Sequence, residues 1–158
     1  MALTQEQRTR EVQRWGDMVY RLALARTASV PDAEDVFQEV FLRYFRHEEK
    51  FRSDEHRKAW LIRCTVNRAR SLTASPWRRR TVPLETAEEV GVEDDYREVD
   101  SAVLSLPGKY RAVIHLHYFE GLSVMEIAQT LQVPEGTVKS QLSRGRALLR
   151  DMLTEVEL

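Results

Sequence analysis

With 158 residues, 42% hydrophobic and 31% charged, the chain suits one domain or two small ones and is too apolar for intrinsic disorder. Its net charge of −1 carries no nucleic-acid signal for the molecule as a whole, so any such signal must lie in how the charges are distributed. A single cysteine, Cys64, excludes a disulfide framework within the chain, no apolar run reaches the length of a membrane span, and the N-terminal MALTQEQRTR has no apolar signal core, so a cytoplasmic protein without membrane insertion is expected.

Scarce glycine and proline among many helix formers point to an all-α class. From Thr4 to Arg26 the apolar residues Val12, Trp15, Val19, Leu22 and Ala23 keep helical period, and Thr4 and Gln7 are spaced as a capping box. The pattern breaks over residues 28–31. A second helix, about 32–46, carries the core stripe Val36, Phe37, Val40, Phe41 and Tyr44. Its acids come early (Asp32, Glu34, Asp35) and its bases late (Arg43, Arg46), which complements the helix dipole. Residues 47–55 are polar and broken around Phe51. A third helix then carries Trp60, Leu61 and Cys64 to about Leu72.

Charge next segregates sharply. Between Arg57 and Arg80 lie eight bases (Arg57, Lys58, Arg63, Arg68, Arg70, Arg78, Arg79, Arg80) and no acid. Any one of these arginines reads as a solvated surface charge, but the cluster reads as an anion-binding surface. From Glu85 to Asp100 the sign flips: eight acids against Arg97 alone give −7, with few large apolar residues. Residues 76–98 are therefore expected to form an acidic flexible linker. It separates two small helical domains, 8–75 and 99–156, each with a modest core.

After Leu106–Pro107 a helix restarts, with Tyr110, Val113, Ile114 and His117 able to line one face and Gly121 placed to stop it. Residues 122–149, LSVMEIAQTLQVPEGTVKSQLSRGRALL, hold two helical patterns around a tight break. Ser123 and Glu126 form a second capping box, and Val124, Ile127, Ala128 and Leu131 share a face. Pro134 suits the first turn of a new helix, whose dry stripe is Val138, Leu142, Gly145 and Leu149. Lys139, Ser140, Ser143, Arg144 and Arg146 lie off that stripe, and no acid interrupts residues 137–150. A helix-turn-helix needs this arrangement, one helix bracing and the next entering the major groove. An ordinary helical hairpin with a solvated basic face is the plain alternative. The donor types favour the groove reader, because Arg and Lys suit phosphates and guanine edges, and Ser suits either.

Nothing points to catalysis or a cofactor. His115 and His117 are spaced for different faces, no cysteine cluster completes a zinc site, and there is no glycine-rich phosphate loop or nucleophile elbow. Cys64 falls in an apolar stripe, as a structural thiol does. Asp32, Glu34 and Asp35 at a helix start act as caps and dipole partners.

Three stretches together resemble a bacterial RNA polymerase sigma factor of the extracytoplasmic-function (ECF) group. DAEDVFQEVFLRYF (32–45) is similar to the family's polymerase-binding helix. FRSDEHRKAWLIRCTVN (51–67) is similar to its downstream-promoter segment. Residues 106–149, with LP, EIA, GTVKS and RGR in order, are similar to its upstream-promoter domain. The resemblance implies that Asp35, Gln38 and Glu39 meet the clamp helices of the polymerase largest subunit, a grouping their i, i+3, i+4 spacing permits. It implies that Phe51, Arg52, Lys58 and Asn67 handle the melted downstream element. An aromatic wall and polar edges suit a base leaving the stack; Phe51 serves equally as a core aromatic, Asn67 as a cap, and Trp60 reads as core. It further implies that Thr137, Lys139, Ser140, Ser143 and Arg144 face the upstream duplex and that Arg146 contacts its backbone.

On this resemblance the chain is an initiation factor that binds core RNA polymerase and promoter DNA, is held in check by an anti-sigma protein, and performs no enzymatic step of its own. The acidic linker passes through the polymerase cleft and RNA exit path. Two departures stand out: Gln141 where the family often has Arg, and Ser71 where it commonly has Asp. A stand-alone helix-turn-helix regulator is the rival reading. It accounts for the C-terminal pattern but not for the Asp35–Gln38–Glu39 face or the ordered segment 51–67.

Overall fold

The structure, a computed structural model, describes residues 3–47, 51–73 and 105–156, and all the regular structure among them is helical. The expected acidic linker, the arginines Arg78, Arg79 and Arg80, and residues 99–104 lie outside the described residues.

Helix α1 spans Gln5–Thr27 and opens with the expected capping box: the Thr4 hydroxyl accepts from the Gln7 N–H while the Gln7 side chain accepts from the Thr4 N–H. It closes where Ala28 turns left-handed at φ 54°, its N–H donating to Leu24 O. Helix α2, Val30–His47, starts two residues before the sequence pattern suggests. Pro31 sits in its first turn, where a missing N–H costs nothing. Helix α3 spans Asp54–Thr73, with the Ser53 hydroxyl accepting from the His56 N–H at its start. The three pack around Trp15, Val19, Ala23, Val36, Val40, Phe41, Tyr44, Leu61, Ala69 and Leu72. This is the core the helical stripes foretell, except that Val12, Phe37, Trp60 and Cys64 are only partly covered.

Helix α4, Gly108–Ile114, runs into a π-helical turn at His115–Phe119 that periodicity alone did not reveal. Gly121, at φ 73°, ends that unit two residues later, a conformation that costs glycine no steric strain. Helix α5, Val124–Leu131, opens with the Ser123/Glu126 capping box and closes on left-handed Gln132. Helix α6, Glu135–Val156, follows Pro134. The α6 stripe packs inward: Val138 is fully covered, Leu142 nearly so, and Gly145 lets α6 approach α4 closely. A Cβ at Gly145 would stand 2.5 Å from Ile114 Cδ1 and 3.5 Å from Tyr110 Cβ.

The second core holds Leu106, Val113, Ile114, Leu116, Leu122, Ile127, Ala128, Val138 and Leu142, and it is completed from outside by Leu22 of α1 and Ile62 of α3. Leu22 reads in sequence as part of its own helix's stripe, yet it and Ile62 are spent on the C-terminal half, covered to 0% and 1% exposure. Burying two such side chains contributes about 1.5–3 kcal/mol each. The two halves thus share a seam, α1 against α4 and α3 against α5. Among the described residues, hydrogen bonds cross it as well. Arg111 Nη2 donates to Arg26 O at 2.9 Å, and Arg63 Nε donates to Thr130 O at 3.0 Å. Burial, with Arg26 close by, lowers the Arg111 guanidinium to about 10.

Candidate nucleic-acid and partner interfaces

Three surfaces gather the residues singled out from sequence. The first is on α2. Gln38 is exposed, beside a shallow groove lined by Val12, Gly16, Asp17, Tyr20, Glu34 and Phe37, with a volume of about 430 Å³. Asp35 and Glu39 are only half-exposed, and each already has a basic partner. Asp35 lies 3.5 Å from Arg68 of α3, and Glu39 lies 3.0 Å from Arg43 one turn on. The i, i+3, i+4 spacing does put the three on one face. Long-range pairing with α3, however, was invisible in the local sequence.

The second surface is a groove of about 500 Å³ between α2 and α3, lined by Arg43, Arg46, His47, Trp60, Arg63, Cys64 and Asn67. Two helical faces make it: Arg43, Arg46 and His47 at i, i+3, i+4 on α2, and Trp60, Arg63, Cys64 and Asn67 at i, i+3, i+4, i+7 on α3. That shared phase was the signal in the sequence, and it went unused for Arg43, Arg46 and His47. Three guanidiniums can engage phosphates, the Trp60 ring can take a base face, and the exposed Asn67 amide can bond a base edge. Burial pushes the Cys64 thiol up, which keeps it protonated and suits a wall rather than a nucleophile.

Phe51 sits in an aromatic cluster with its ring centroid 5.5 Å from each of Tyr44, His56 and Trp60, and Arg57 lies over its face. It is a core aromatic that touches the groove through Trp60. Arg52 is exposed at the start of the same loop, where its N–H donates to His56 Nδ1. Lys58 is not in the groove. It lies toward the carboxyls of Glu120 and Glu126 across the seam. The Glu120 carboxyl is held below its ordinary value mainly by His115, whose Nε2 lies 3.3 Å from it, with Lys58 adding to the effect. His117 is occupied elsewhere, its Nδ1 2.8 Å from Leu122 O.

The third surface is α6. Thr137, Lys139, Ser140, Ser143, Arg144 and Arg146 are all exposed, opposite the covered Val138, Leu142 and Gly145. The helix axis therefore separates a dry face from a continuous row of donors, with α5 packed behind it. Arg146 Nη1 donates to the hydroxyl of Tyr118 at 3.2 Å, which steadies its guanidinium at the end of that row. Gln141 is half-covered beside the row.

Comparison with known proteins matches both halves of this arrangement. The Sigma-70 region 2 family model matches residues 12–79, and the Sigma-70, region 4 model matches residues 96–149. Over 156 residues the chain is 37% identical to the ECF RNA polymerase sigma factor SigE of Mycolicibacterium smegmatis, covering 91% of this chain and 60% of that relative. It is 31% identical over 163 residues to the ECF RNA polymerase sigma factor SigW of Bacillus subtilis, covering 89% and 85%. Among solved structures, CnrH in complex with the cytosolic domain of CnrY superposes with a TM-score of 0.70 at 26% identity, over 96% of this chain and 90% of that one. The sigma factor RpoE from Bartonella quintana, solved with the anti-sigma factor NepR, shares the fold with a TM-score of 0.66 at 22% identity, over 92% and 96%.

Proposed function

This chain belongs to the ECF group of bacterial RNA polymerase sigma factors, and from that membership we propose that it carries core polymerase to promoters by holding two DNA elements at once. One is the downstream element, taken as a melted strand in the α2–α3 groove. The other is the upstream element, read as duplex by α6. The observation that carries the reading is that one short chain presents two donor surfaces of different build. The groove couples guanidiniums to a tryptophan wall and an amide, which suits unstacked bases. The α6 row is a convex helix face, which suits a major groove.

Asn67 reads a base edge within the groove; Arg43, Arg46 and Arg63 hold the strand's phosphates. Phe51 shapes the wall behind Trp60, and Arg52 supplies charge beside it, whereas Lys58, turned toward Glu120 and Glu126, reaches DNA only from outside the groove. Thr137, Lys139, Ser140, Ser143 and Arg144 face the upstream bases, and Arg146 grips the backbone. Asp35, Gln38 and Glu39 meet the polymerase clamp. Residues 8–75 and 99–156 act as the two working units, joined by the acidic stretch 76–98, which enters the path of nascent RNA and yields to it. Polymerase supplies the nucleotidyl transfer. An anti-sigma protein is the natural antagonist, as NepR is for the structurally similar RpoE.

Gln38→Arg isolates the polymerase contact. Gln38 is exposed, and the change leaves the Asp35–Arg68 and Glu39–Arg43 pairs intact. A like charge set against a basic partner surface costs several kcal/mol at worst, so core binding is expected to fall by about tenfold or more. Duplex binding through α6 should not change. Co-purification with core enzyme reads the first effect and a gel shift the second. Wild-type chain that dimerises on a palindromic site and never retains core polymerase would favour the stand-alone regulator instead.

A further inference from the structure

One residue of the α2–α3 groove has no task in the reading above, His47. It is exposed in the last turn of α2, one turn beyond Arg43 and next to Arg46, and it lines the groove with them. Its ring centroid lies 5.4 Å from that of Trp60 with the planes at 51°, so it flanks the indole at a tilt instead of lying flat upon it. Tyr44 and Phe51 hold the same indole from the aromatic cluster, at 6.1 and 5.5 Å. Trp60 is thus fixed on its core side and half-covered, with an imidazole at its rim.

The groove is also longer than one base. Trp60 and Asn67 are seven residues apart on α3, which is about 10 Å along the helix axis. Neighbouring bases in a stack are only about 3.4 Å apart, so a single base cannot meet both residues. We propose that His47 is a specificity-determining residue of this groove: beside the nucleotide at Asn67 the strand lays a second base on Trp60, and His47 selects a guanine there. The proposal rests on the strand-binding reading of the groove given above.

The choice of base follows from the donors. An imidazole has at least one N–H in either protonation state, and purine N7 is an acceptor within reach of such a group. Among the described residues the groove lining holds three guanidiniums and no carboxylate; Glu39, which pairs with Arg43, stands outside it. That field favours a base edge rich in acceptors. Guanine offers N7 and O6 side by side, whereas adenine replaces O6 with an amine whose hydrogens face the positive charge. Cytosine likewise presents an amine, and thymine a single carbonyl beside a methyl group. A purine also covers more of the indole than a pyrimidine does, which strengthens the stack.

The test uses holoenzyme assembled from core polymerase and the full chain. Its templates are forks built on a promoter mapped by start-site sequencing, duplex upstream and single-stranded across the downstream element, with that segment randomised. Among retained forks, wild type should enrich guanine at one position. His47→Ala should reduce that enrichment about fivefold or more and leave the other positions unchanged, while Asn67→Ala should flatten a different position nearby. A fork with 7-deazaguanine at the enriched position lacks the N7 acceptor. It should bind wild type about fivefold or more weakly than the guanine fork, and His47→Ala equally well in both forms. His47→Gln, which keeps a donor, should retain part of the preference. His47→Ala that keeps the guanine preference, weakens all sequences alike, or flattens the same position as Asn67→Ala overturns the proposal and leaves the transcription reading standing. A chain that never joins core enzyme overturns the transcription reading, and this proposal with it.

Discussion

Leu142→Ala is expected to cost about 2–5 kcal/mol of stability, since it deletes a buried branched side chain and leaves a cavity the surrounding helices close only in part. Leu142 is 2% exposed, at the centre of the α6 stripe between Val138 and Gly145. It shares a core with Ile114 of α4, Ile127 of α5 and the two visitors Leu22 and Ile62. Its neighbours cannot easily move in, because α6 and α4 already approach within side-chain contact at Gly145. At this chain length the loss corresponds to a fall in Tm on the order of 5–15 °C by circular dichroism. Leu148→Ala on the same helix is the control. Leu148 is among the exposed large apolar residues, so its truncation should stay within about 0.5 kcal/mol. A Leu142→Ala chain that melts with wild type would mean that α6 does not pack as described, and the dry and wet faces of the reading helix would have to be reassigned.

Arg144→Ala is expected to weaken specific duplex binding by about 1–3 kcal/mol, which is about 5- to 150-fold, through loss of a bidentate contact to a guanine edge. Arg144 is exposed on the α6 row beside Ser143 and one turn beyond Ser140, so a groove-bound α6 presents it to base edges. Arg146→Ala should behave differently. Its guanidinium is steadied by the Tyr118 hydroxyl, and the proposed role is a contact to the DNA backbone. Its loss should weaken binding to all sequences alike and reduce the salt slope by about 1. Gel shifts on a matched and a mutated upstream duplex, each at two salt concentrations, separate the two behaviours. Unchanged affinity and unchanged sequence preference in Arg144→Ala would remove the base contact from the account.

Local chemistry was readable in the chain, and long-range chemistry was not. Both capping boxes appear where Thr4–Gln7 and Ser123–Glu126 place them, because each is closed by residues three apart. The Val138–Leu142–Gly145 stripe is covered as its period requires. The α6 donors are exposed for the complementary reason. Leu22 and Ile62 mark the limit. Helical phase says that a residue faces something apolar, not which body supplies it, so Leu22 of the shared seam looked like private core, and Ile62 was not singled out at all. The pairing of Asp35 with Arg68 and the cap from Arg63 to Thr130 fail the same way, since 33 and 67 residues of chain separate the partners. The π turn at His115–Phe119 escaped because one extra residue per turn barely disturbs an apolar pattern seven residues long. The groove was half legible: Asn67 was named and Arg63 fell in the basic cluster read as an anion-binding surface, whereas Arg43 and Arg46 were read as dipole partners.

The central claim is that this chain, with core polymerase, starts transcription at a defined promoter using both DNA surfaces. Run-off transcription tests it most directly: purified core enzyme, the full chain, and a template bearing a promoter mapped by start-site sequencing after overexpression. The account predicts a single run-off product that needs the chain, disappears with Gln38→Arg, and falls with either Asn67→Ala or Arg144→Ala. A chain that binds the template tightly yet yields no product with core enzyme, or a product indifferent to both DNA-surface substitutions, would contradict it.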